Sequence, residues 1–510
     1  MKTAEQSMMK AARQSHRRRL VGLALIALSI VVSTGCATNP ATGRSQLSFY
    51  SEAEEVQLGR SNDEQLVAQF GLYDDPELAA YVDRLGQNLA AVSERPALPW
   101  TFRVLDDPVV NAFALPGGFI YVTRGILAHM GSEAELAAVL GHEIGHVTAR
   151  HGVNRLSKAQ LANVGLGVGA VLAPEMAGGF GDLAQQGLQL LFLKYSRDDE
   201  RQADDLGFRY ADRVGQHPGG FVDVFAMLMA SSSLGGGGRL PGYLQTHPDP
   251  EERLLTARQR LSRVPASSLD RPLGREALLE HLDGMPFGTN PREGFFVGTS
   301  FVHPDLAFRL ELPEGWVGHN QKQALIAVSP ENDAIIQLTL TDEASADAAA
   351  RAFYGQQGIT PRSAWRDDAG EAPRLEGTRL FQVGSGQQVI YGMAGFAEDD
   401  GRVYRLLAAT EQDSWRSSSG VIERSLASFS KLRERRYLEV EPMTLELITV
   451  DRDMSLEEFD RRFPSSISRE RLAMINQVLG GESLVRGQRA KRVLGFNPGP
   501  QTGVTLEPER

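Results

Sequence analysis

Residues 132–147 read SEAELAAVLGHEIGHV, and the rest of the chain is organised around them. Leu136, Val139, Leu140, Ile144 and Val147 recur at helical spacing. Ser132 followed three residues later by Glu135 predicts a capping box at the helix start. His142 and His146 then stand four apart. At about 3.6 residues per turn, both imidazoles share one face, about 40° apart. Each can bring a ring nitrogen to roughly 2.0–2.1 Å from one Zn²⁺. Glu143 directly follows the first of them, so its carboxylate falls beside the open coordination position, where it can take a proton from water.

The pattern is H-E-x-x-H, which zinc peptidases use. With 10 histidines in 510 residues, a chance match is expected about once in a hundred such chains. The plain alternative is an amphipathic core helix with buried, hydrogen-bonded histidines. Gly141 and Gly145 each cost about 1 kcal/mol of helix propensity relative to Ala. Small residues beside the two histidines permit close packing of a neighbouring element.

At 510 residues the chain is long enough for two to four domains, and its 42% hydrophobic and 23% charged content is that of a globular protein. Residues 1–36 read as a targeting segment: Arg17 to Arg19 form a basic region, and Leu20 to Val32 is an apolar run too short for a comfortable membrane span. Ser33-Thr34-Gly35-Cys36 resembles a bacterial lipobox with Ser33 in place of its usual Leu, so Cys36 is the candidate lipidation site. Ala37 after it resembles lipoproteins sorted to the outer membrane. The alternatives are an uncleaved anchor or a free thiol. Cys36 is the only cysteine, which excludes an intrachain disulfide. Removing residues 1–35, with six basic residues and one acidic, takes the net charge from −11 to −16. An acidic chain of this kind is a poor nucleic-acid binder.

Ser51 with Glu54, and Asp75-Pro76, predict two helix starts. Thr101–Leu105 and 109–122 read as strands, the second interrupted by Pro116-Gly117-Gly118. A strand there offers a sheet edge for an extended peptide, with main-chain pairing and little sequence preference; an ordinary hairpin is the alternative. Residues 161–193 read as an apolar, glycine-rich helical hairpin, for core packing, membrane contact or a substrate groove. A further metal ligand must come from elsewhere, because Gly152 stands six residues after His146 and His151 falls nearly opposite on a continued helix. Ser196 can cap a new helix carrying Glu200 and Asp204 on one face. Glu200 would complete a His₂Glu site, and Asp204 would accept the second N–H of a ligating histidine.

NAFALPGG (111–118), HEIGH (142–146), SRDDERQAD (196–204) and THP (246–248) with Arg253 together resemble the bacterial M48 family of zinc metalloendopeptidases over roughly residues 40–265. The resemblance implies an α+β fold: a mainly helical gluzincin-type domain with a small sheet, one Zn²⁺ held by His142, His146 and Glu200, and Glu143 as catalytic base. Asp204 matches an aspartate that orients a ligand or donates a proton. His247 matches a histidine near the metal. Gly235 to Gly238 precede it, so His247 either caps the zinc at rest, stabilises the developing oxyanion, or only orients its loop.

Residues 290–435 read as a small α+β module of docking or structural role, weakly similar to PsbP-like domains. Residues 440–495 resemble a βααβ LysM module through LITV (447–450), SLEEF (455–459), RLAMIN (471–476) and LVRGQRAKRV (484–493), with Asp453-Met454 replacing the usual Gly-Asp. Peptidoglycan contact is the role this implies, against a purely structural one. The Gly- and Pro-containing tail from residue 496 reads as disordered. The domain expectation is therefore 1–36 signal and lipidation site, 37–270 peptidase, 290–435, 440–495 and 496–510. The functional expectation is a lipid-anchored, periplasm-facing zinc endopeptidase of misfolded envelope proteins. The rivals are a metal-bearing chaperone or wall-docking scaffold, and a hydrolase of peptidoglycan cross-link peptides.

Overall fold

Local signals set the first elements. In the computed structural model, which describes residues 36–167, 194–234, 242–364, 375–385 and 388–495, a ribbon of β1 (Cys36–Thr38) and β2 (Ser45–Leu47) leads into α1 (Glu52–Phe70). Segment 1–35, most of the expected 161–193 hairpin, Gly235 to Gly238 and the tail lie outside the described residues. Ser51 caps α1 reciprocally with Glu54. Asp75 accepts the N–H groups of Glu77 and Leu78 to start α2 (Pro76–Ala91), whose first position is the proline.

A three-stranded sheet follows, of β3 (Thr101–Leu105), β4 (Ala112–Leu115) and β5 (Phe119–Thr123), ordered β3-β5-β4. β3 runs parallel to β5 and β4 antiparallel to it. β3 and β4 are thus the two edge strands, either side of β5. Gly117 turns the chain between β4 and β5 at φ 84°, and a Cβ there would stand 2.5 Å from the Val56 Cα, so the turn requires glycine.

Next come α3 (Arg124–His129) and the histidine helix α4 (Glu133–Thr148). Every α4 residue after Glu133 is buried, so the helix is enclosed on all sides rather than one. The expected capping box forms only in part. Ser132 accepts the Glu135 N–H, but the Glu135 carboxylate turns to the Gly131 N–H and to Gln477 Nε2. The remaining helices of this part are α5 (His151–Gly167), α6 (Arg197–Arg213), α7 (Gly220–Leu234), α8 (Gly242–Thr246), α9 (Pro250–Leu261), α10 (Ala266–Leu269) and α11 (Arg275–Leu279). α4 and α6 cross at glycines. A Cβ on Gly145 would lie 2.8 Å from the Ala203 carbonyl oxygen, and one on Gly207 would lie 2.7 Å from His142 N.

Beyond residue 294, β6 (Phe295–Val297), β7 (Ser300–His303) and β8 (Phe308–Glu311) form a four-stranded sheet with β16 (Ser430–Lys431). A seven-stranded antiparallel sheet is ordered β12-β13-β14-β15-β11-β10-β9. Its strands are β9 (Val317–Gln321), β10 (Ala324–Val328), β11 (Ala334–Thr341), β12 (Ile359–Ala364), β13 (Leu375–Ser385), β14 (Gln388–Asp399) and β15 (Arg402–Glu411). Helices α12 (Ala346–Tyr354) and α13 (Trp415–Ala427) accompany it, and α14 (Arg435–Leu438) follows. The chain ends in a β-α-α-β unit: β17 (Thr444–Thr449), α15 (Leu456–Arg462), α16 (Arg469–Asn476) and β18 (Arg489–Leu494), with β17 and β18 antiparallel. One hydrophobic core runs from α2, the small sheet, α4 and α7 through Leu282 and Met285 into Leu445, Phe459, Leu472 and Val493.

Candidate metal centre

α4 supplies His142, Glu143 and His146, α6 supplies Glu200 and Asp204, and the turn after α8 supplies His247. Ser196 fixes the start of α6 through a reciprocal cap with Asp199, which sets Glu200 and Asp204 one turn apart facing α4. The structure therefore brings all six candidate residues together. Cys36 is far along the chain from them, in β1.

His142, His146, Glu200 and His247 are buried, and one donor atom from each lies within 4.8 Å of the others. Tetrahedral donors about 2.0–2.1 Å from a shared ion stand about 3.3–3.4 Å apart. Here His146 Nε2 is 3.3 Å from Glu200 Oε1, and His142 Nε2 is 3.5 Å from Glu200 Oε2. The two histidine Nε2 atoms are 2.9 Å apart, and His247 Nδ1 is 3.2 Å from His142 Nε2. These spacings bracket the tetrahedral edge, and the nitrogen and carboxylate donors suit a borderline divalent ion. Both Glu143 carboxylate oxygens are buried without a hydrogen-bond partner among the described residues, as is His247 Nε2. Glu143 Oε1 lies 3.6 Å from that nitrogen. Unpaired buried polar atoms beside such a donor set are what a metal and its water would satisfy.

The residues behind the donors set their protonation. Asp204 Oδ1 is 2.8 Å from His142 Nδ1, which places the ring proton on Nδ1 and aims Nε2 at the cluster. Arg253 binds Asp204 through Nε at 2.8 Å and Nη2 at 2.7 Å, and its Nη1 stands 2.9 Å from Glu200 Oε2. Burial alone would raise the Glu200 carboxyl, but the facing His247 imidazole, the Arg253 guanidinium and the His142 imidazole hold it well below the usual carboxylate range. Asp204 is lowered in the same way, its burial outweighed by Arg253 and His142. For Glu143 burial prevails and pushes the carboxyl up to about 7. Burial also drives His146 well below the ordinary histidine value, so it is neutral, as a ligand must be.

Two neighbours, Tyr195 and Tyr243, were given no role in the sequence expectations, and a third, His151, was expected elsewhere. Tyr195 stacks on His146 with ring centroids 3.9 Å apart, and Tyr243 stacks on His247 at 4.3 Å. His151 contacts His146 directly, which corrects the expectation that it falls on the far side. α4 ends at Thr148, Arg150 takes φ 60°, and the chain doubles back. A rotation counted along an unbroken helix does not apply across that turn. Arg253, quoted only as part of the family pattern, is the cation holding Glu200 and Asp204 of α6.

Residues 76–261 match the family model described as Peptidase family M48. The chain carries an M48 peptidase domain. The chain is 32% identical over 223 residues to the "Putative beta-barrel assembly-enhancing protease" of Vibrio cholerae, covering 42% of this chain and 46% of that one. It is 29% identical over 262 residues to the "Beta-barrel assembly-enhancing protease" of Escherichia coli K12, covering 49% and 53%. Against the "Mitochondrial metalloendopeptidase OMA1" of Arabidopsis thaliana the identity is 35% over 165 residues, or 32% of each chain. The chain thus spans about half the length, or less, of the curated relatives it matches. The similarity places His142, Glu143, His146, Glu200, Asp204, His247 and Arg253 all inside the matched M48 domain.

Proposed function

We propose that this chain is a zinc-dependent endopeptidase acting on unfolded or misassembled proteins of the cell envelope. The observation that carries the reading is Glu143: a fully buried carboxylate, without a hydrogen-bond partner, beside three histidines and a second glutamate. His142, His146 and Glu200 would hold a zinc ion there, which would supply a Lewis acid able to lower the pKa of water to roughly 7. Glu143 accepts the proton as water attacks the scissile carbonyl, then delivers it to the leaving amine. Its raised proton affinity suits a group that must both take and give back a proton. Asp204 orients His142, and Arg253 keeps Asp204 and Glu200 ionised. The edge strand β4 offers main-chain groups to an extended substrate, and its Ala114 and Leu115 lie close to His146 and Tyr195. Backbone pairing of this kind favours unfolded chains over particular sequences.

In this reading His247 would be a further donor to that ion at rest. Its segment also engages the strand leading into β4, where the Tyr243 N–H donates to the Val110 carbonyl at 3.1 Å. Cys36 carries the lipid, the protein faces the periplasm from the outer membrane, and no nucleic acid is bound. No helix among the described residues is long and apolar enough to cross a membrane. Residues 290–435 serve docking or structure, and the LysM-like 440–495 contacts peptidoglycan. The test is purified full-length protein offered unfolded polypeptide and, separately, peptidoglycan, with and without chelator. Chelator-sensitive, zinc-restored cleavage of the polypeptide is expected. Cleavage of wall peptides alone, or of neither, contradicts the reading. Cys36→Ser should leave the lipidated membrane fraction, and wild-type Cys36 without an acyl group in mass spectra contradicts the anchor.

A further inference from the structure

His146 is backed by another histidine. The turn at Arg150 brings His151, the first residue of α5, round until its Nδ1 lies 2.9 Å from His146 Nδ1. The other ring nitrogen of His151, Nε2, is 2.9 Å from Gln202 Oε1 and 3.5 Å from Asp199 Oδ1, both on α6. Gln202 Oε1 is at hydrogen-bond distance and both oxygens can only accept, so Nε2 of His151 carries the ring proton and its Nδ1 is the acceptor. The proton between the two rings then belongs to His146 Nδ1, and the His146 Nε2 lone pair faces Glu200 and His142. The opposite arrangement, with the proton on His151 Nδ1, would move the His146 proton to Nε2 and block ligation.

We propose that His151, held by Gln202, is the positioning residue for His146: it accepts the Nδ1–H and fixes Nε2 toward the metal-donor cluster. The inference rests on the reading of His142, His146 and Glu200 as ligands. It assigns to the His151–Gln202 relay the task Asp204 performs for His142, with a neutral acceptor in place of a charged one. A carboxylate behind a ligating imidazole raises its basicity more than a neutral ring does. The two histidine ligands are therefore unequal donors, His142 the stronger. The relay also joins the α4–α5 turn to α6, so the metal reports on the packing of all three.

The test measures zinc affinity of the full chain by competition with a chromophoric chelator, together with the visible d–d spectrum of the Co²⁺-substituted protein. His151→Phe should keep the ring's bulk, lose the acceptor, weaken zinc binding 10–100-fold and shift the cobalt bands. The thermal midpoint of the metal-free protein is the control for folding. Should His151→Phe fail to fold, Gln202→Leu, which leaves His151 in place, should weaken zinc several-fold, and Gln202→Glu should restore it. A merely structural role would not produce that order. Wild-type affinity and an unmoved cobalt spectrum in both His151→Phe and Gln202→Leu overturn the proposal alone. A wild-type chain that takes up no zinc overturns the reading of the whole centre, and this proposal with it.

Discussion

Glu143 and Glu200 are both buried glutamates within one cluster, yet their surroundings drive them in opposite directions. Glu200 has Arg253 and His247 against it and stays ionised, as a ligand must. Glu143 has burial as its strongest influence and a raised proton affinity, which suits proton transfer. Glu200→Gln should therefore weaken zinc binding, measured by chelator competition. His247→Ala separates two roles by sign. As a resting cap, its removal should raise basal proteolysis and speed zinc stripping. As an oxyanion donor, its removal should lower kcat by roughly 10²–10³. We expect the rise, read as turnover of unfolded substrate at saturating zinc; a large fall contradicts the cap. At this scale the sequence was informative wherever a function depends on spacing along one helix. His142 with His146, and Glu200 with Asp204, are such pairs. His151 was hidden because its position depends on one positive φ at Arg150, which no propensity announces.

At the scale of elements, the centre depends on how closely α4 and α6 approach. Gly141, Gly145 and Gly207 make that approach, since each would thrust a Cβ to within 3.0 Å of the other helix's backbone. Their cost in helix propensity is set against geometry that larger residues would not permit. Gly207→Ala gains about 1 kcal/mol of propensity but must push against His142 N, an atom of rigid backbone, at a cost of about 1–3 kcal/mol. We expect lower stability in urea titrations together with weaker zinc binding, because Glu200 retreats with its helix. Unchanged zinc affinity would show that the crossing tolerates a methyl group. The sequence suggested a close neighbour at Gly141 and Gly145 but gave no means of naming it. Helix starts were equally legible, because Ser51, Asp75, Ser132 and Ser196 act on groups two or three residues away. The partial cap at Glu135 was not, because its carboxylate is drawn to Gln477, 342 residues further on.

Across the whole molecule, the C-terminal β-α-α-β unit is packed into the peptidase core. Residues 284–287 pair with Met443 and Leu445, and Lys491 Nζ donates to the Ala128 carbonyl at 2.9 Å and to that of Met130. Burial lowers the Lys491 amine, while Glu135 opposes that shift. Lys491→Met should cost about 2–4 kcal/mol by leaving those carbonyls unpaired, measured by thermal unfolding; a change under ~0.5 kcal/mol contradicts this docking. Between Ala128 and Met130, His129 is buried and its pKa is lowered to about 4 by desolvation. The unfolded chain then binds a proton that the fold excludes. The stability His129 contributes is complete above about 6.5 and is lost as pH falls toward 4, up to about 3 kcal/mol. His129→Phe should flatten the acid limb of a stability–pH profile, and an unchanged slope would contradict the shift. Such long-range packing was not legible in the sequence. Apolar periodicity shows that a face is buried, not what buries it.

The role of Glu143 is tested most directly by a paired measurement on Glu143→Gln: zinc per chain, and the rate of cleavage of an unfolded polypeptide. The substitution keeps His142, His146 and Glu200 and removes only the group that accepts the proton. A catalytic-base role for Glu143 predicts about one zinc per chain, as in the wild type, with proteolysis abolished. Cleavage at the wild-type rate by the zinc-loaded variant would contradict it.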